Sequence, residues 1–467
     1  MIDGKYLMDI GFPEGKVIGV TLEIIRNELA GLPEEQIIPL LINIISQPVD
    51  FLLHPQFSAI ATLLVPPEPV VSSIALAPEP LPFQIYGKEG IEEGALQQMR
   101  MAMRLPVTIA GALMPDAHQG YGLPIGGVLA TENAVIPYGI GVDIGCRMCM
   151  SIFDMPDNEI FTHKKLLKKH LIENTRFGKM AFDKPMDHPI FERNEFREIP
   201  IVKQLKDRAY QQIGSSGGGN HFVEFGIVEL NEPVKNVGTG RYLALLSHSG
   251  SRGMGANIAR HYTTIAMDSC TLPKEARHLA WLDLNSEEGQ EYWSAMNLAG
   301  DYASACHHQI HQRISTALGV NTLAMIENHH NFAWKEKDEK GRELIVHRKG
   351  ATPAGKSDLG IIPGSMATPG FIVMGKGAQK SVNSASHGAG RTMSRTQAKQ
   401  ILNKKQVIKY LNDVGVEVIG SGIDEAPMAY KDIHEVMNHQ KDLVNILGTF
   451  MPRIVRMCGD TKYHEVD

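Results

Sequence analysis

Apolar residues recur at helical spacing in two neighbouring stretches near the start of the chain, residues 20–30 and 34–46. The sequence Gly31-Leu32-Pro33 between them combines a helix stop with a proline that suits the start of a new helix. Prolines then interrupt the apolar runs as far as residue 82, which indicates a connector or an edge strand. We therefore expect a first domain over residues 1–80, a helical hairpin with a proline-rich connector, and a second domain over residues 81–467.

The pattern changes after residue 90 to a mixture of helical and strand periods. Helical spacing covers residues 91–105, 286–317 and 394–403, whereas short β-like runs lie at 127–130, 221–225, 243–246 and 371–374. Glycine-rich turns separate these runs. The pattern predicts an α+β fold with mixed β-sheets and flanking helices, preceded by the N-terminal helical appendage.

The composition is that of a globular protein, with 467 residues of which 43% are hydrophobic and 21% charged. A net charge of −6 excludes a global basic field, so contact with nucleic acid requires a local basic patch. Five cysteines without paired spacing argue against a secreted disulfide framework. The sequence contains no recognisable signal peptide or membrane span, and we expect a cytoplasmic protein with no membrane partner.

Four separate segments each place a metal-ligand residue type on a turn of small residues. These residues are Asp143 with Cys146, His221, His248, and one of the pair His329 and His330. Carboxylate, thiolate and imidazole groups suit a first-row transition metal, and glycines allow the backbone to approach an ion or a phosphate. Taken singly, Asp143 and Cys146 are usually explained as a turn cap and a small core residue, whereas the costly glycine-rich segment before His221 favours a site over a buried strand histidine. Their recurrence favours one metal and phosphate site, with Arg252 as a phosphate ligand or, alternatively, a surface ion pair.

A fifth segment has a different chemical character. His387 lies between Ser386 and Gly388, and Arg391 follows four residues later. An imidazole can form a phosphoramidate when a partner holds its other nitrogen, so this histidine is a candidate nucleophile beside an anion-binding arginine. The alternative is a glycine-rich turn with an exposed histidine.

Six collinear segments resemble the signature segments of the RtcB family of RNA-splicing ligases. They are MPDAHQGYG (114–122), GGNHFVE (218–224), HSGSRG (248–253), HRKGAT (347–352), IPGSM (362–366) and HGAGR (387–391). The resemblance runs from about residue 90 to about residue 435. It implies an RtcB-like α+β fold around a deep metal cleft.

The resemblance also implies a reaction and its cofactors. Two Mn²⁺ ions are expected, with Cys146 bridging them and Asp143, His221, His248 and His330 completing the ligand set. His387 would attack the α-phosphate of GTP and carry GMP to an RNA 3′-phosphate, which is formed where needed from a 2′,3′-cyclic phosphate. A 5′-hydroxyl end then displaces GMP, as in tRNA splicing or RNA repair. The expected partners are RNA, such as tRNA halves or cleaved RNA, and an activating helper protein, and the expected state is a monomer or weak dimer.

Further residues carry expected roles by the same matching. Those expected to bind the nucleotide are Asn220, Phe222, Glu224, Asn331, Ser365, Met366, Gly388, Ala389, Gly390 and Tyr430. Those expected to bind phosphate or RNA are Arg252, Arg348, Lys349 and Arg391. Glu224 would accept hydrogen bonds from guanine and Tyr430 would pack on the base; the alternatives are a solvated strand glutamate and a tyrosine at the edge of the core.

The chain departs from the family pattern at several positions. Gly145 and Arg147 flank Cys146 where the family has asparagine and glycine, and Gly370 replaces a serine that helps bind guanine. The C-terminal lysine that touches the base has no counterpart, and the helix around His307 lacks an expected arginine. Three hypotheses therefore remain: an RNA ligase, a metal-dependent phosphodiesterase or nucleotidyl-transferase that does not join RNA, and a non-catalytic metal-bound RNA-binding protein.

Overall fold

The computed structural model describes residues 2–65, 73–420 and 422–459. The chain divides into two compact units, Met1–Ser72 and Ser73–Asp467. Most of the predicted proline-rich connector, residues 66–72, lies outside the described residues. Residues 73–80 belong to the larger unit, where the amides of Ile74 and Ala77 donate to the carbonyl groups of Thr271 and Arg104.

The first unit is helical and has its own apolar core. Its helices are α1 (Gly4–Asp9), α2 (Lys16–Glu28), α3 (Glu34–Ser46) and α4 (Ser58–Leu64). The two predicted helices correspond to α2 and α3, and Pro33 is the extended residue that precedes α3. Leu7, Leu41, Ile44 and Ile60 are fully buried among these helices. The amphipathic pattern is explained by burial of one face of each helix.

The larger unit alternates helices with strands. Its helices are α5 (Glu93–Ala102), α6 (Pro137–Ile140), α7 (Glu159–Thr162), α8 (Lys164–Asn174), α9 (Glu195–Glu198), α10 (Pro200–Gln212), α11 (Arg252–Ser269), α12 (Glu287–Leu318), α13 (Arg395–Ile401), α14 (Lys404–Asp413) and α15 (Ile433–Asn438). Its strands are β1 (Gln84–Ile85), β2 (Thr108–His118), β3 (Ile125–Thr131), β4 (Ala134–Val135), β5 (Arg147–Pro156), β6 (Phe222–Leu230), β7 (Gly240–Ser249), β8 (Leu282–Asp283), β9 (Thr322–His329), β10 (Asn331–Lys337), β11 (Glu343–Lys349), β12 (Ala351–Pro353), β13 (Leu359–Ile362), β14 (Gly370–Gly375), β15 (Ser384–Ser386), β16 (Glu417–Ile419) and β17 (Val444–Met457).

Two sheets organise these strands. The larger has the order β13-β14-β17-β6-β7-β5-β9, with β16 paired to β17, and the smaller has the order β1-β2-β3-β11-β10. Two short pairs, β12 with β15 and β4 with β8, lie outside them. The predicted α+β architecture with mixed sheets is confirmed, because parallel and antiparallel pairs occur in the same sheets. The predicted helices at 91–105, 286–317 and 394–403 correspond to α5, α12 and α13.

Side-chain alternation divides the larger sheet into two faces. Along β5, Met148 and Met150 pack into one apolar cluster, whereas Phe153 packs into another on the opposite side. Strand β7 pairs with β5 so that Met148 lies opposite His248 and Cys149 lies opposite Ser247. Successive residues of a strand point to opposite faces. His248 and Ser247 therefore belong to different sides of the sheet.

Among the described residues, no helix is both long and apolar enough to cross a membrane. None of the five cysteines forms a disulfide in the described residues, and four of them are buried.

Candidate active site

A cavity of about 730 Å³ collects residues that are far apart in the sequence. Its wall includes Asp143 and Cys146, the start of β6, the end of β7, the turn after β9 and the loop that follows β15. Strand ends that open into loops of small residues bring these side chains together without a bulky neighbour between them. The predicted metal and nucleophile residues all line this one cavity; they are Asp143, Cys146, His221, His248, His330 and His387.

Cys146 lies at the centre of a buried cluster of metal-ligand atoms. Its Sγ is 3.1 Å from His248 Nε2 and 3.4 Å from His221 Nε2. His330 Nε2 lies 3.2 Å from His248 Nε2, and Asp143 Oδ2 lies 3.0 Å from His221 Nε2. One thiol, three imidazoles and one carboxylate thus converge on a small volume. This donor set suits a divalent transition metal.

Hydrogen bonds and burial prepare His248 for metal binding. The Nδ1–H group of His248 donates to the carbonyl oxygen of Asn220 at 3.2 Å, which leaves the lone pair on Nε2, the atom that faces Cys146. A backbone partner of this kind fixes the tautomer and orientation of a ligating ring. Burial lowers the pKa of His248 to about 3 and that of His330 well below its usual value, so both rings stay neutral near pH 7.

Asp143 remains ionised although it is buried. Burial alone would raise its pKa, but the hydrogen bonds from His221 and Cys146, together with the electrostatic effect of His221 and His248, outweigh burial, and the net pKa is lowered. Gly250 allows this approach, because a Cβ atom at this position would lie 2.0 Å from Asp143 Oδ1. Gly250, the first glycine of the HSGSRG segment, is therefore required because Asp143 occupies the space that a side chain would need.

His387 is held from behind by Asp116. The Nδ1 atom of His387 lies 2.7 Å from Asp116 Oδ2, and the same oxygen accepts the backbone amides of His387 and Gly388 at 3.0 and 3.3 Å. A carboxylate at Nδ1 keeps the proton there and leaves the Nε2 lone pair available. The His387 ring also lies beside His330, with ring centroids 5.0 Å apart. The candidate nucleophile therefore borders the candidate metal cluster.

Asp116 was missed as a site residue by the sequence reasoning, although its segment was one of the six motifs. It is fully buried in β2, where the pairing with β3 shifts between Leu113 and His118. Such irregularities redirect side chains next to functional sites. Burial alone would raise its pKa, but the hydrogen bond and charge of His387 and the charge of Lys431 outweigh burial, so the net pKa is lowered and Asp116 is a carboxylate. The sequence did offer one signal for Asp116, because a charged residue within an apolar, strand-like run is unusual.

The same cavity collects the residues expected to contact the nucleotide. The residues predicted to bind nucleotide all line the cavity; they are Asn220, Phe222, Glu224, Asn331, Ser365, Met366, Gly388, Ala389, Gly390 and Tyr430. Glu224 is buried on β6, and burial raises the pKa of its carboxyl well above the usual value. Tyr430 donates its hydroxyl to Glu425 and lies under the guanidinium of Arg391, 5.3 Å from the ring centroid. Gly370 also lines the cavity.

Two of the four predicted phosphate-binding residues line the cavity. Arg391 donates to the carbonyl oxygens of Met393 and Asp424 at 3.0 and 2.7 Å. Lys349 is buried, its Nζ donates to the carbonyl oxygen of Tyr121, and burial lowers its pKa to about 7. Arg395, which was not predicted, also lines the cavity and pairs with Asp424 at 3.2 Å.

The structure places the Arg348 side chain away from the cavity. Its side chain is fully buried outside the described cavity wall, where it pairs with Glu336 and donates to Ser384 Oγ at 2.7 Å. It also stacks on Trp334, with its guanidinium carbon 4.6 Å from the ring centroid. Adjacent residues of β11 face opposite sides, so Lys349 reaches the cavity and Arg348 does not. Arg348 has a structural role.

Arg252 also lies outside the described lining of the cavity. Its guanidinium is buried, with Nε donating to Ser215 Oγ at 3.3 Å and a further nitrogen donating to the carbonyl oxygen of Gly178. Gly217 lies between this guanidinium and His221, since a Cβ atom there would be 2.9 Å from Arg252 Nη1 and 1.9 Å from His221 Nδ1. Arg252 thus holds the loops behind a candidate metal ligand.

The departures around Cys146 have a structural explanation. Gly145 has a left-handed backbone, φ +71°, and a Cβ atom there would lie 2.8 Å from the Cα of Gly300 in α12. Arg147 is buried and bridges β9 and α12, through Glu327 at 2.9 Å and the carbonyl oxygen of Gly300 at 2.9 Å. Gly145 and Arg147 therefore both contact α12 next to Cys146.

Comparison with known proteins agrees with the six motifs. The family model described as tRNA-splicing ligase RtcB matches residues 98–457. The RNA-splicing ligase RtcB of Escherichia coli (strain K12) is 34% identical over 392 residues, covering 77% of this chain and 93% of that protein. The tRNA-splicing ligase RtcB of Nanoarchaeum equitans is 30% identical over 449 residues, covering 80% of this chain and 94% of that protein. The predicted resemblance is confirmed, and the chain belongs to the RtcB family.

Proposed function

We propose that this protein is an RNA ligase that joins an RNA 2′,3′-cyclic phosphate or 3′-phosphate end to a 5′-hydroxyl end, using GTP and Mn²⁺ through a histidine–GMP intermediate. Its substrates would be tRNA halves or other cleaved RNA. The observation that carries the proposal is one cavity that holds both His387, backed by Asp116, and the cluster around Cys146. A nucleophile beside metal ligands suits phosphoryl transfer.

The donor set fits two divalent ions held by Asp143, Cys146, His221, His248 and His330. Sulfur, nitrogen and oxygen donors are mixed, as a transition metal that also binds phosphate oxygens requires. The Nδ1 atom of His330 is buried and lacks a hydrogen-bond partner among the described residues, so an ion or a bound molecule would complete its environment. When bound, the ions would polarise the phosphate and the incoming hydroxyl oxygen.

The first step would transfer GMP to the protein. Asp116 retains the Nδ1 proton of His387 through their hydrogen bond, so the Nε2 lone pair attacks the α-phosphorus of GTP. The P–N bond forms, the bond to the bridging oxygen breaks, and pyrophosphate leaves with that electron pair. Lys349 and Arg391, with Arg395, are cationic side chains of the cavity that would neutralise the phosphates.

Two further transfers would complete the joining. An oxygen of the RNA 3′-phosphate attacks the phosphorus of the bound GMP, and the P–N bond returns its electron pair to His387. The 5′-hydroxyl oxygen of the second RNA then attacks the activated 3′-phosphate, loses its proton, and displaces GMP. A 2′,3′-cyclic phosphate must first be opened by water to the 3′-phosphate. Each step exchanges one P–O or P–N bond for another.

Covalent labelling tests this proposal. The wild-type protein, the His387→Ala variant and a control variant of the exposed His439, His439→Ala, are each incubated with one of the four α-labelled nucleoside triphosphates and Mn²⁺. An acid-labile adduct from GTP, lost only in His387→Ala, is the expected result. An adduct from another nucleotide would replace GTP in the proposal. The absence of any adduct would overturn it in favour of a metal-dependent phosphodiesterase, the candidate favoured by the missing guanine contacts at Gly370 and the C-terminus.

A further inference from the structure

A second group of polar side chains is buried on the face of the larger sheet opposite the cavity. Cys149 on β5 lies directly across from Ser247 on β7 and from Glu327 on β9. Helix α12 covers this face and presents His307 and His311, which are one turn apart and therefore lie on the same side of the helix. The surrounding layer is apolar and includes Phe153, Leu245, Ile310 and Ile314.

The polar atoms of this group converge on one point. One ligand atom each of Cys149, His307 and His311 lie within 4.8 Å of one another, and all three residues are buried. The Ser247 hydroxyl is 2.6 Å from His307 Nδ1 and 2.8 Å from His311 Nε2. Burying imidazole, thiol and hydroxyl groups is costly unless they are hydrogen-bonded or bind an ion, and here the Ser247 hydroxyl lies at the point that both inner ring nitrogens face.

The outer nitrogens of both rings are already bound to oxygen atoms. His307 Nε2 donates to the carbonyl oxygen of Ser249 at 3.1 Å, and His311 Nδ1 lies 2.7 Å from Ser151 Oγ. Metal-ligating histidines characteristically use their second nitrogen in this way. Burial lowers the pKa of His307 well below its usual value and that of His311 to about 3, so both rings are neutral. Their inner nitrogens, His307 Nδ1 and His311 Nε2, both face the Ser247 hydroxyl, and one nitrogen of each ring lies within 4.8 Å of the Cys149 sulfur.

We propose that Cys149, His307 and His311 bind a Zn²⁺ ion, with the Ser247 hydroxyl as the fourth group, in a buried site separate from the cavity. Two imidazoles, one thiolate and one oxygen form a donor set that suits tetrahedral zinc. On binding, the Cys149 thiol loses its proton to solvent, and His311 carries its proton on Nδ1 as a donor to Ser151. The ion would tie α12 to β5 and β7, the strands whose other face carries Met148 and His248.

The site is distinguishable from the cavity because the two clusters use different cysteines. Zinc content is measured by elemental analysis after chelator dialysis in a Cys146→Ala protein, in which the cavity cluster lacks its central ligand. About one zinc per chain is expected to remain, and it is expected to be lost when Cys149→Ala is added. Adding Cys270→Ala instead, at a buried cysteine outside both clusters, is expected to leave the zinc in place.

A second measurement keeps the proposal testable if the double variant does not fold. The zinc-edge X-ray absorption spectrum of the folded Cys146→Ala protein is expected to contain one sulfur at about 2.3 Å and two nitrogens at about 2.0–2.1 Å. A shell without sulfur, retention of zinc without Cys149, or a Cys146→Ala protein without zinc would each overturn the inference. None of these results depends on nucleotide, so they leave the proposed ligase activity untouched.

Discussion

Two groups of residues in the cavity differ in how firmly their side chains are held. In the group expected to carry out phosphoryl transfer, His387, Asp116, His248 and Cys146 are linked by contacts of 2.7–3.2 Å to one another or to the backbone. In the group expected to recognise the base, Glu224 is buried with a raised pKa, and Gly370 contributes no side chain. The first group is thus preorganised, whereas recognition by the second depends more on the groups that the ligand presents.

The largest expected effect concerns Asp116, the hydrogen-bond partner of His387. Replacing Asp116→Asn removes the negative charge behind His387 and permits the wrong tautomer, so adduct formation should slow by about 10³–10⁴-fold. Single-turnover labelling with α-labelled GTP measures this rate. The exposed Asp413→Asn variant is the control. A rate for Asp116→Asn within about threefold of the wild-type rate would show that His387 does not need this partner.

The next effect concerns the metal cluster. Cys146→Ser replaces a soft thiolate, whose sulfur lies within 3.4 Å of two imidazoles, with a poor ligand. Affinity for Mn²⁺ should fall by at least about 100-fold in isothermal titration calorimetry. Cys270→Ser, at a buried thiol outside the cavity, should bind Mn²⁺ as the wild type does. Equal losses in both variants would point to misfolding.

The raised pKa of Glu224, a residue expected to bind guanine, predicts that the affinity for GTP depends on pH. Guanine presents donors, so the carboxylate is the form that binds it, and a Glu224 carboxyl with a raised pKa must lose a proton when GTP binds. GTP affinity should therefore increase with pH, approaching about tenfold per pH unit below that pKa, and then level off. Binding is measured by calorimetry across pH. Glu224→Gln should bind more weakly and lose this slope, while the exposed Glu229→Gln on the same strand should keep it.

The raised pKa of Glu224 also predicts how the free energy of unfolding changes with pH. Because its pKa is higher in the folded state, the folded protein holds the proton longer, and the free energy of unfolding falls as pH rises above the unfolded-state value. The stability of Glu224→Gln relative to the wild type should therefore increase between acidic and neutral pH. Urea unfolding at several pH values checks this, and a constant difference would contradict the raised pKa.

The smallest effect is expected at Gly370. A Cβ atom there would lie 3.3 Å from the Cα of Pro363, a tight but tolerable contact. Gly370→Ser would add one hydroxyl toward the cavity and, if it reaches the base, a hydrogen bond that favours GTP over ATP by about fivefold. Gly370→Ala adds the same Cβ without the hydroxyl and serves as the control. An equal change in both variants would assign the effect to space alone.

Much of the site was predictable because turns of small residues mark it. His248 and His387 are flanked by serine or glycine, His221 follows the segment Gly217-Gly218-Gly219-Asn220, and all three histidines line the cavity. Asp116 was not found because its neighbours Met114 and Ala117 are those of a buried strand, and only three-dimensional contact pairs it with a residue 271 positions away.

Other placements have equally local causes. Arg348 was expected to bind phosphate because its HRKGAT segment matches the family motif, but alternation along β11 sends it and Lys349 to opposite sides. The pair His307 and His311 could have been recognised in the sequence, because two histidines four residues apart on a helix lie on one face. Its partner Cys149 comes from a strand more than 150 residues earlier, and that pairing depends on how α12 packs on the sheet.

Side chains along β7 alternate between the two faces of the sheet, and this limits the insertions and deletions that related sequences can tolerate. Ser247 and His248 are neighbours in the chain, yet they serve opposite faces of the sheet. A deletion of one residue upstream in β7 would exchange the two faces and damage both clusters at once, whereas a loop insertion before Gly240 would spare them. Related chains should therefore vary freely in the length of the β6–β7 loop while keeping the number of residues within the strand fixed.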